Sequence, residues 1–452
     1  MKSKAYRGTV VNRVDASQLG AGRDGQALTV GIDVGKYQLV AVARWPNGDF
    51  ERPWDVANPE QIPTLVALLS QLQKRHAVTV ALEPSGTYGD ALRQALGDAG
   101  LEVRRVSPKA AHDYAEVFDG VPSQHDHKDA AVVAELAALG KAWPWPYQAR
   151  SEWEQELASC VDWLVAQRRI AMLWLGRLEA LLARHWPELT RQLTVSSATL
   201  LRLVAHYGSP AVLAADGQAA ARVACWGRQR LKAETVAQVV AGARTTVGVR
   251  LGEVERQTLQ RYAEQALAAR REVRRSQRRL QALAAAEPLL QAQGRAVGVP
   301  TACVLWVGVG DPRHYSSGAA YRKAMGLNLV EQSSGTYQGQ LRISKRGSPR
   351  VRQWLYMAAL RLLRREGVAD WYRARKGQGA VATRKALVGV MRKLALALYR
   401  VAVDGVVFEA GKLFGGRRGR QRARPAAGCA HDGGRPQAGR MAEKVKEDSK
   451  KI

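Results

Sequence analysis

The chain has 452 residues, 46% of them hydrophobic, and a formal net charge of +29. That length accommodates two or three domains with packed cores. No run of roughly eighteen apolar residues and no charged-then-apolar leader pattern occurs, which argues against a membrane span or a secreted protein. Cys160, Cys225, Cys303 and Cys429 stand far apart, so neither a zinc site nor a disulfide framework is expected, and an intracellular, reducing compartment is. Residues 412–452 hold twelve Lys or Arg against four Asp or Glu, about +8, which leaves about +21 on the rest. An excess spread over the folded body points to nucleic acid as a partner, through phosphate neutralisation.

In chain order, residues 1–27 are polar and without period and read as a mobile arm. Residues 28–32 and 39–43 read as a strand pair around the turn at Val34-Gly35-Lys36, and residues 49–56 as a third strand. Residues 60–74 carry apolar side chains at helical spacing, 78–82 form a β-branched strand, and 88–99 a helix closed by Gly100. A strand over 101–106 stops before Pro108, and 126–139 is a helix rich in Ala and Leu. Strands first, then strands alternating with helices, predict an α/β domain with a mixed sheet over residues 28–145. Trp143-Pro144-Trp145-Pro146 reads as a linker. Residues 153–186 and 252–290 read as long helices within a helical or coiled-coil middle region, 146–290. Residues 291–411 form a mostly α C-terminal block, and the Arg-, Gly- and Pro-rich segment 412–452 reads as a disordered basic tail.

Four acids carry the chemistry. Asp33 lies in Gly31-Ile32-Asp33-Val34 and Glu83 follows the apolar strand ending at Leu82. Asp126 and Asp129 are one helical turn apart. A carboxylate inside or at the end of an apolar strand is costly unless paired. A shared cation would satisfy all four, and Mg²⁺ suits an all-oxygen set that must leave positions open for phosphate and water. Taken singly, Asp33 is also a turn residue, and Asp126 with Asp129 could cap their helix.

These acids and their flanks resemble the DEDD transposases of the IS one-ten family of bacterial insertion sequences. Glu83-Pro84-Ser85-Gly86-Thr87-Tyr88 is similar to the family's Glu-x-x-Gly-x-Tyr, and Asp126-x-x-Asp129-Ala130 to its D-x-x-D-A. A C-terminal signature runs from Gly326-Leu327 through Ser334-Gly335 to Arg342-Ile343-Ser344-Lys345-Arg346-Gly347, with Tyr356-Met357-Ala358-Ala359 and Met391-Arg392-Lys393-Leu394 beyond it. Gln124 stands where the family usually has Lys, and its Pro-Gly-x-Gly loop is replaced by Val297-Gly298-Val299-Pro300. The resemblance implies an RNase H/RuvC-like catalytic domain over 28–145, with Asp33, Glu83, Asp126 and Asp129 as Mg²⁺ ligands. It implies Ser334 as nucleophile in a transposase domain over 291–411. It also implies a structured guide (bridge) RNA, donor and target DNA as substrates, and assembly as a dimer to tetramer.

By itself Ser334 is an ordinary loop serine with no base beside it in sequence, and Ser333 is the alternative nucleophile. Arg342, Lys345 and Arg346 are suited to holding phosphate. Two other readings stay open: a RuvC-like, Mg²⁺-dependent junction nuclease without a serine intermediate, and a non-enzymatic nucleic-acid scaffold.

Overall fold

The computed structural model describes residues 8–414 apart from 85, 122–124, 332, 334–338, 340, 366 and 378. Of the expected disordered tail, residues 412–414 end a short helix with Phe414 buried, and the rest lies outside the described residues. The chain forms two compact units, residues 1–151 and 152–452. Among the described residues no helix is long and apolar enough to cross a membrane.

The first unit is built on a seven-stranded mixed sheet. Its strands are β1 (Thr9–Val10), β2 (Ala27–Val34), β3 (Gln38–Arg44), β4 (Trp54–Ala57), β5 (Ala77–Leu82), β6 (Glu102–Val106) and β7 (Ala142–Pro144), in the order β1-β4-β3-β2-β5-β6-β7. β2, β3 and β4 form an antiparallel meander, while β5 runs parallel to β2 and β6 parallel to β5. Helices α1 (Ile62–Gln73) and α2 (Asp90–Asp98) cover one face, and α3 (Pro108–Asp119) and α4 (Asp126–Ala138) the other.

Side chains alternate across a strand, so the two faces of β2 differ. Leu28, Val30, Ile32 and Val34 enter the core under α1 and α2. Gly31 and Asp33 lie on the opposite face, toward α4. A Cβ at Gly31 would stand 2.3 Å from the carbonyl oxygen of Ala130 and from the amide nitrogen of Ala134, so helix and strand meet backbone to backbone there. The small side chains of Ala130 and Ala134, both fully buried, complete the fit.

Two expectations change. The segment after residue 8 is no arm: β1 pairs with β4 and Val11 is 1% exposed in the core, because a short Thr-Val-Val run finds an unpaired sheet edge. The Trp-Pro repeat is no linker: β7 pairs with β6, and Trp145 donates its backbone N–H to the Val103 carbonyl. The strand β6 does stop before Pro108, and Pro108 then opens a helix that the sequence pattern did not show, α3, at whose first turn its missing N–H costs nothing.

In the second unit the long helices α5 (Glu152–His185) and α11 (Glu253–Ala285) run antiparallel beside each other. The Trp153 indole donates to Leu283 O at one end, Cys160 Sγ to Ser276 O nearer the middle, and His185 lies 3.6 Å from Glu255 at the other end. The expected coiled-coil arm is thus narrowed to a pair of helices that are each other's partners within the chain, about 50 Å long. Between them in sequence, α6 (Pro187–Gln192), α7 (Ala198–Tyr207), α8 (Pro210–Ala215), α9 (Ala219–Gly227) and α10 (Ala233–Arg244) cluster on the end of the pair around Trp186 and Tyr207. The other end merges into a helical core of α12 (Pro288–Val297), α13 (Val299–Val309), α14 (Gly318–Ala324), α15 (Pro349–Leu362), α16 (Val368–Arg373), α17 (Gly379–Val403) and α18 (Ala410–Phe414). A short hairpin, β8 (Leu329–Val330) and β9 (Arg342–Ile343), projects from it.

Gly31→Ala should force α4 off the sheet, because a methyl group has no room between two backbones. A loss of about 3 kcal/mol or more is expected in chemical unfolding of the full chain. An unchanged unfolding midpoint would show that the contact does not hold α4 in place.

Candidate active site

The four acids converge at one end of the first sheet. β2 and β5 pair in parallel through Ile32 and Leu82, so the next residue along each is a carboxylate, Asp33 and Glu83. Both follow the face alternation toward the α3 and α4 side. Helix α4 presents Asp126 and Asp129 in its first turn, one turn before its close contact with Gly31. The competing role of Asp126 as a cap is already filled: the cap is His125, whose Nδ1 accepts from the Lys128 amide at 3.2 Å.

The electrostatics follow from this placement. Burial, then repulsion from Asp126, Asp129 and Glu83, pushes the Asp33 carboxyl up to about 6. Burial and Asp129 raise Glu83, which His112 of α3 partly offsets. Asp129 is raised by burial and by Asp126, against the opposing charges of His125 and Lys128. Asp33, Glu83 and Asp129 are therefore held in a setting that favours a proton or a cation. The carboxylates do not close on one point. Among the described residues no three His, Cys, Asp or Glu side chains stand close enough together to hold an ion as placed.

Several supporting residues escape sequence reasoning. Lys128 is fully buried; its Nζ donates to Asp119 Oδ1 at 2.7 Å and to the Val121 carbonyl at 2.5 Å, tying α4 to the C-terminal end of α3. His127 Nε2 lies 3.0 Å from Asp55 Oδ1 on β4, and Arg44 of β3 pairs with Glu135, so α4 is tied to the sheet near both ends. Asn58 donates to the carbonyls of Gly35 at 2.9 Å and Tyr88 at 3.4 Å, joining the loops that follow Asp33 and Glu83. A lysine or asparagine in a polar loop gives no local sign of such long-range partners.

The serine region lies in the second unit. Ser334, which falls between β8 and β9 in the sequence, lies outside the described residues. Ser333 donates to Glu331 Oε1 at 2.7 Å and accepts from the Gly339 amide at 3.2 Å. Arg342 is exposed on β9, and Lys345 and Arg346 follow it on the surface. Lys345 has φ +55°, a left-handed conformation that aims a non-glycine side chain at some cost. The base of the hairpin is clamped by two arginines that donate to backbone carbonyls, Arg352 to Gly347 at 2.8 Å and Arg392 to Leu327. Gly347, at φ +129°, lets the chain pass against Ala324, whose carbonyl oxygen a Cβ would meet at 2.5 Å. The departure at Val297-Gly298-Val299 is the turn between α12 and α13; Arg361 donates there to the Val297 carbonyl at 2.7 Å.

Known proteins resemble the chain in both units. A family model described as "Transposase" for the DEDD proteins of IS110 matches residues 30–187. A second, "Transposase IS116/IS110/IS902 family", matches residues 287–373. A 43.6 kDa uncharacterized protein of insertion element IS110 from Streptomyces coelicolor is 25% identical over 398 residues, 84% of this chain and 95% of that protein. Solved structures similar to part of the chain include Thermus thermophilus RuvC in complex with a Holliday junction substrate, 19% identical, covering 26% of this chain and 99% of RuvC with a TM-score of 0.20. A second Thermus thermophilus RuvC structure covers the same shares at a TM-score of 0.19. The two family models together take in more than half of the sequence, one holding the four acids and the other the serine loop, and the chain belongs to the IS110 (IS one-ten) family of DEDD transposases, enzymes that cut and rejoin DNA.

Proposed function

We propose that the chain transposes its element by a Mg²⁺-dependent transesterification in which Asp33, Glu83, Asp126 and Asp129 hold the metal and Ser334 is the nucleophile. The observation that carries this reading is the convergence of four carboxylates from three chain segments, with Asp33, Glu83 and Asp129 raised by burial and by neighbouring acids. An all-oxygen donor set with that much uncompensated negative charge fits a hard divalent cation. When bound, Mg²⁺ would neutralise charge on the scissile phosphate and favour the ionised form of an attacking hydroxyl. Asp33 and Glu83 would be the ligands fixed by strand register, and Asp126 and Asp129 those fixed by the packing of α4.

The seryl hydroxyl would attack phosphorus, forming a phosphoserine ester while one deoxyribose oxygen leaves with the proton. Attack by a deoxyribose hydroxyl of the other duplex would reverse the exchange. One ester replaces another at each step, so no nucleotide is needed to drive it. Arg342, Lys345 and Arg346 would hold the flanking phosphates, with Arg342 and Arg346 able to grip two oxygens each. The RuvC-like reading of the first unit is supported by its meander followed by two parallel strands, with acids at the ends of the two central strands. A structured guide RNA, and a homo-oligomer in which the metal site of one subunit serves the serine of another, complete the proposal in a bacterial cytoplasm.

Recombination between donor and target plasmids, with the element's flanking non-coding RNA supplied or omitted, tests this. Wild type should recombine only with RNA and Mg²⁺, and Ser334→Ala and Asp33→Asn should each lose at least about three orders of magnitude. Cleavage that survives Ser334→Ala without RNA would instead establish a junction nuclease.

The raised Asp33 gives a second prediction. In metal-free protein the folded state holds this proton more tightly than the unfolded chain, whose value is 3.8. The resulting stability is fully present below that value and is lost as pH rises through about 6. Asp33→Asn should therefore stabilise EDTA-treated protein near neutral pH by about 1–2 kcal/mol, after allowance for solvent screening, and have little effect near pH 4. Mg²⁺ should raise the melting temperature of wild type and not of that variant. Thermal unfolding across pH, with and without Mg²⁺, checks both.

A further inference from the structure

A groove of about 400 Å³ lies between α5 and α15 in the second unit, and its described lining residues include neither the four acids nor the serines. Its walls are Val165, Met172, Trp354 and Met357, and its rim carries Arg168, Arg169 and Gln353. Met172 is 69% exposed and Met357 39%, so apolar surface is open to solvent. The Arg168 guanidinium stacks over the Trp354 ring, 4.7 Å from its centroid. Among the described residues no acid lines the groove. Asp162, one turn away on the same stripe of α5, is engaged by Arg350. Arg168 instead stands near a second cation, Arg361, whose affinity for its proton is depressed by burial and then by the charge of Arg168.

From these features we infer that the groove takes an unstacked nucleotide of the DNA, its base lying on the Met172, Met357 and Arg168–Trp354 surface and its phosphate facing Arg168 and Arg169. The inference rests on the DNA-transfer reading above. The volume exceeds that of a nucleobase, and a flat cation stacked on an indole is a surface that any base can cover. The amide of Gln353 can both donate to and accept from a base edge. Position agrees: α15 begins at Pro349, immediately after the clamped base of the serine hairpin, and Gln353 and Trp354 stand on its second turn. Strand transfer requires local unstacking of a duplex, and a site that stores an extruded nucleotide lowers that cost.

The test uses the full-length protein and fluorescence anisotropy with two DNA probes, a perfect duplex and the same duplex carrying a short unpaired bubble. Wild type should favour the bubble by about tenfold, and the exposed-site substitutions Arg168→Ala and Met172→Ala should each remove most of that preference while changing duplex affinity less than about twofold. Equal wild-type affinity for the two probes would overturn the inference, even with Mg²⁺-dependent cleavage intact; lost cleavage with the preference intact would instead count against the proposed chemistry. A preference confined to a bubbled RNA duplex would overturn the assignment to DNA. Unchanged probe affinities with altered sedimentation of Met172→Ala would make the groove a contact between copies of the chain.

Discussion

Everything at the acidic end of the sheet depends on one close approach, that of helix α4 to strand β2 at Gly31. With 2.3 Å between a would-be Cβ and two backbone atoms of α4, no other residue fits without moving the helix. The contact sets how far the helix N-terminus stands from the strand end, and hence how near Asp126 and Asp129 come to Asp33. Dispersion and apolar burial supply the attraction, through Ala130 and Ala131 against Val40 and Val42. The like charges supply an opposing force. The fold therefore holds together four groups that would separate if free, and the ties from His127 to Asp55 and from Arg44 to Glu135 keep the helix from lifting at either end.

The same tension runs through the whole chain at a larger scale. A net charge of +29 draws polyanions to the surface, while the acidic centre repels phosphate at short range. A divalent cation reconciles the two. In the second unit the logic is reversed: arginines are spent on structure as well as on charge. Arg352, Arg361 and Arg392 donate to backbone carbonyls at a hairpin base and a helix turn, where a guanidinium satisfies acceptors that no amide reaches. The basic composition thus serves two purposes, and only the geometry separates clamping arginines from those left facing solvent.

Much of this was legible in the sequence. Period-two and period-3.6 patterns located the central strands and most helices, since local burial writes those periods directly. The acids were legible as a set because carboxylates in apolar strands violate local rules, and such violations concentrate at functional sites. The parallel register of β2 and β5 then aligned Asp33 with Glu83. By contrast β1, β7 and α3 went unread, because two short strands borrow their order from a neighbour and a proline opens a helix as readily as it closes one.

By itself, then, the sequence determined the residue types, their spacing and the elements that carry them. Tertiary structure alone decided that Lys128 is a buried anchor, that Asn58 links two loops, that His125 relieves Asp126 of capping, and that two distant long helices pair along their length. Those outcomes rest on contacts between residues far apart in the chain. A local pattern encodes which face an element buries, and not the partner it meets there.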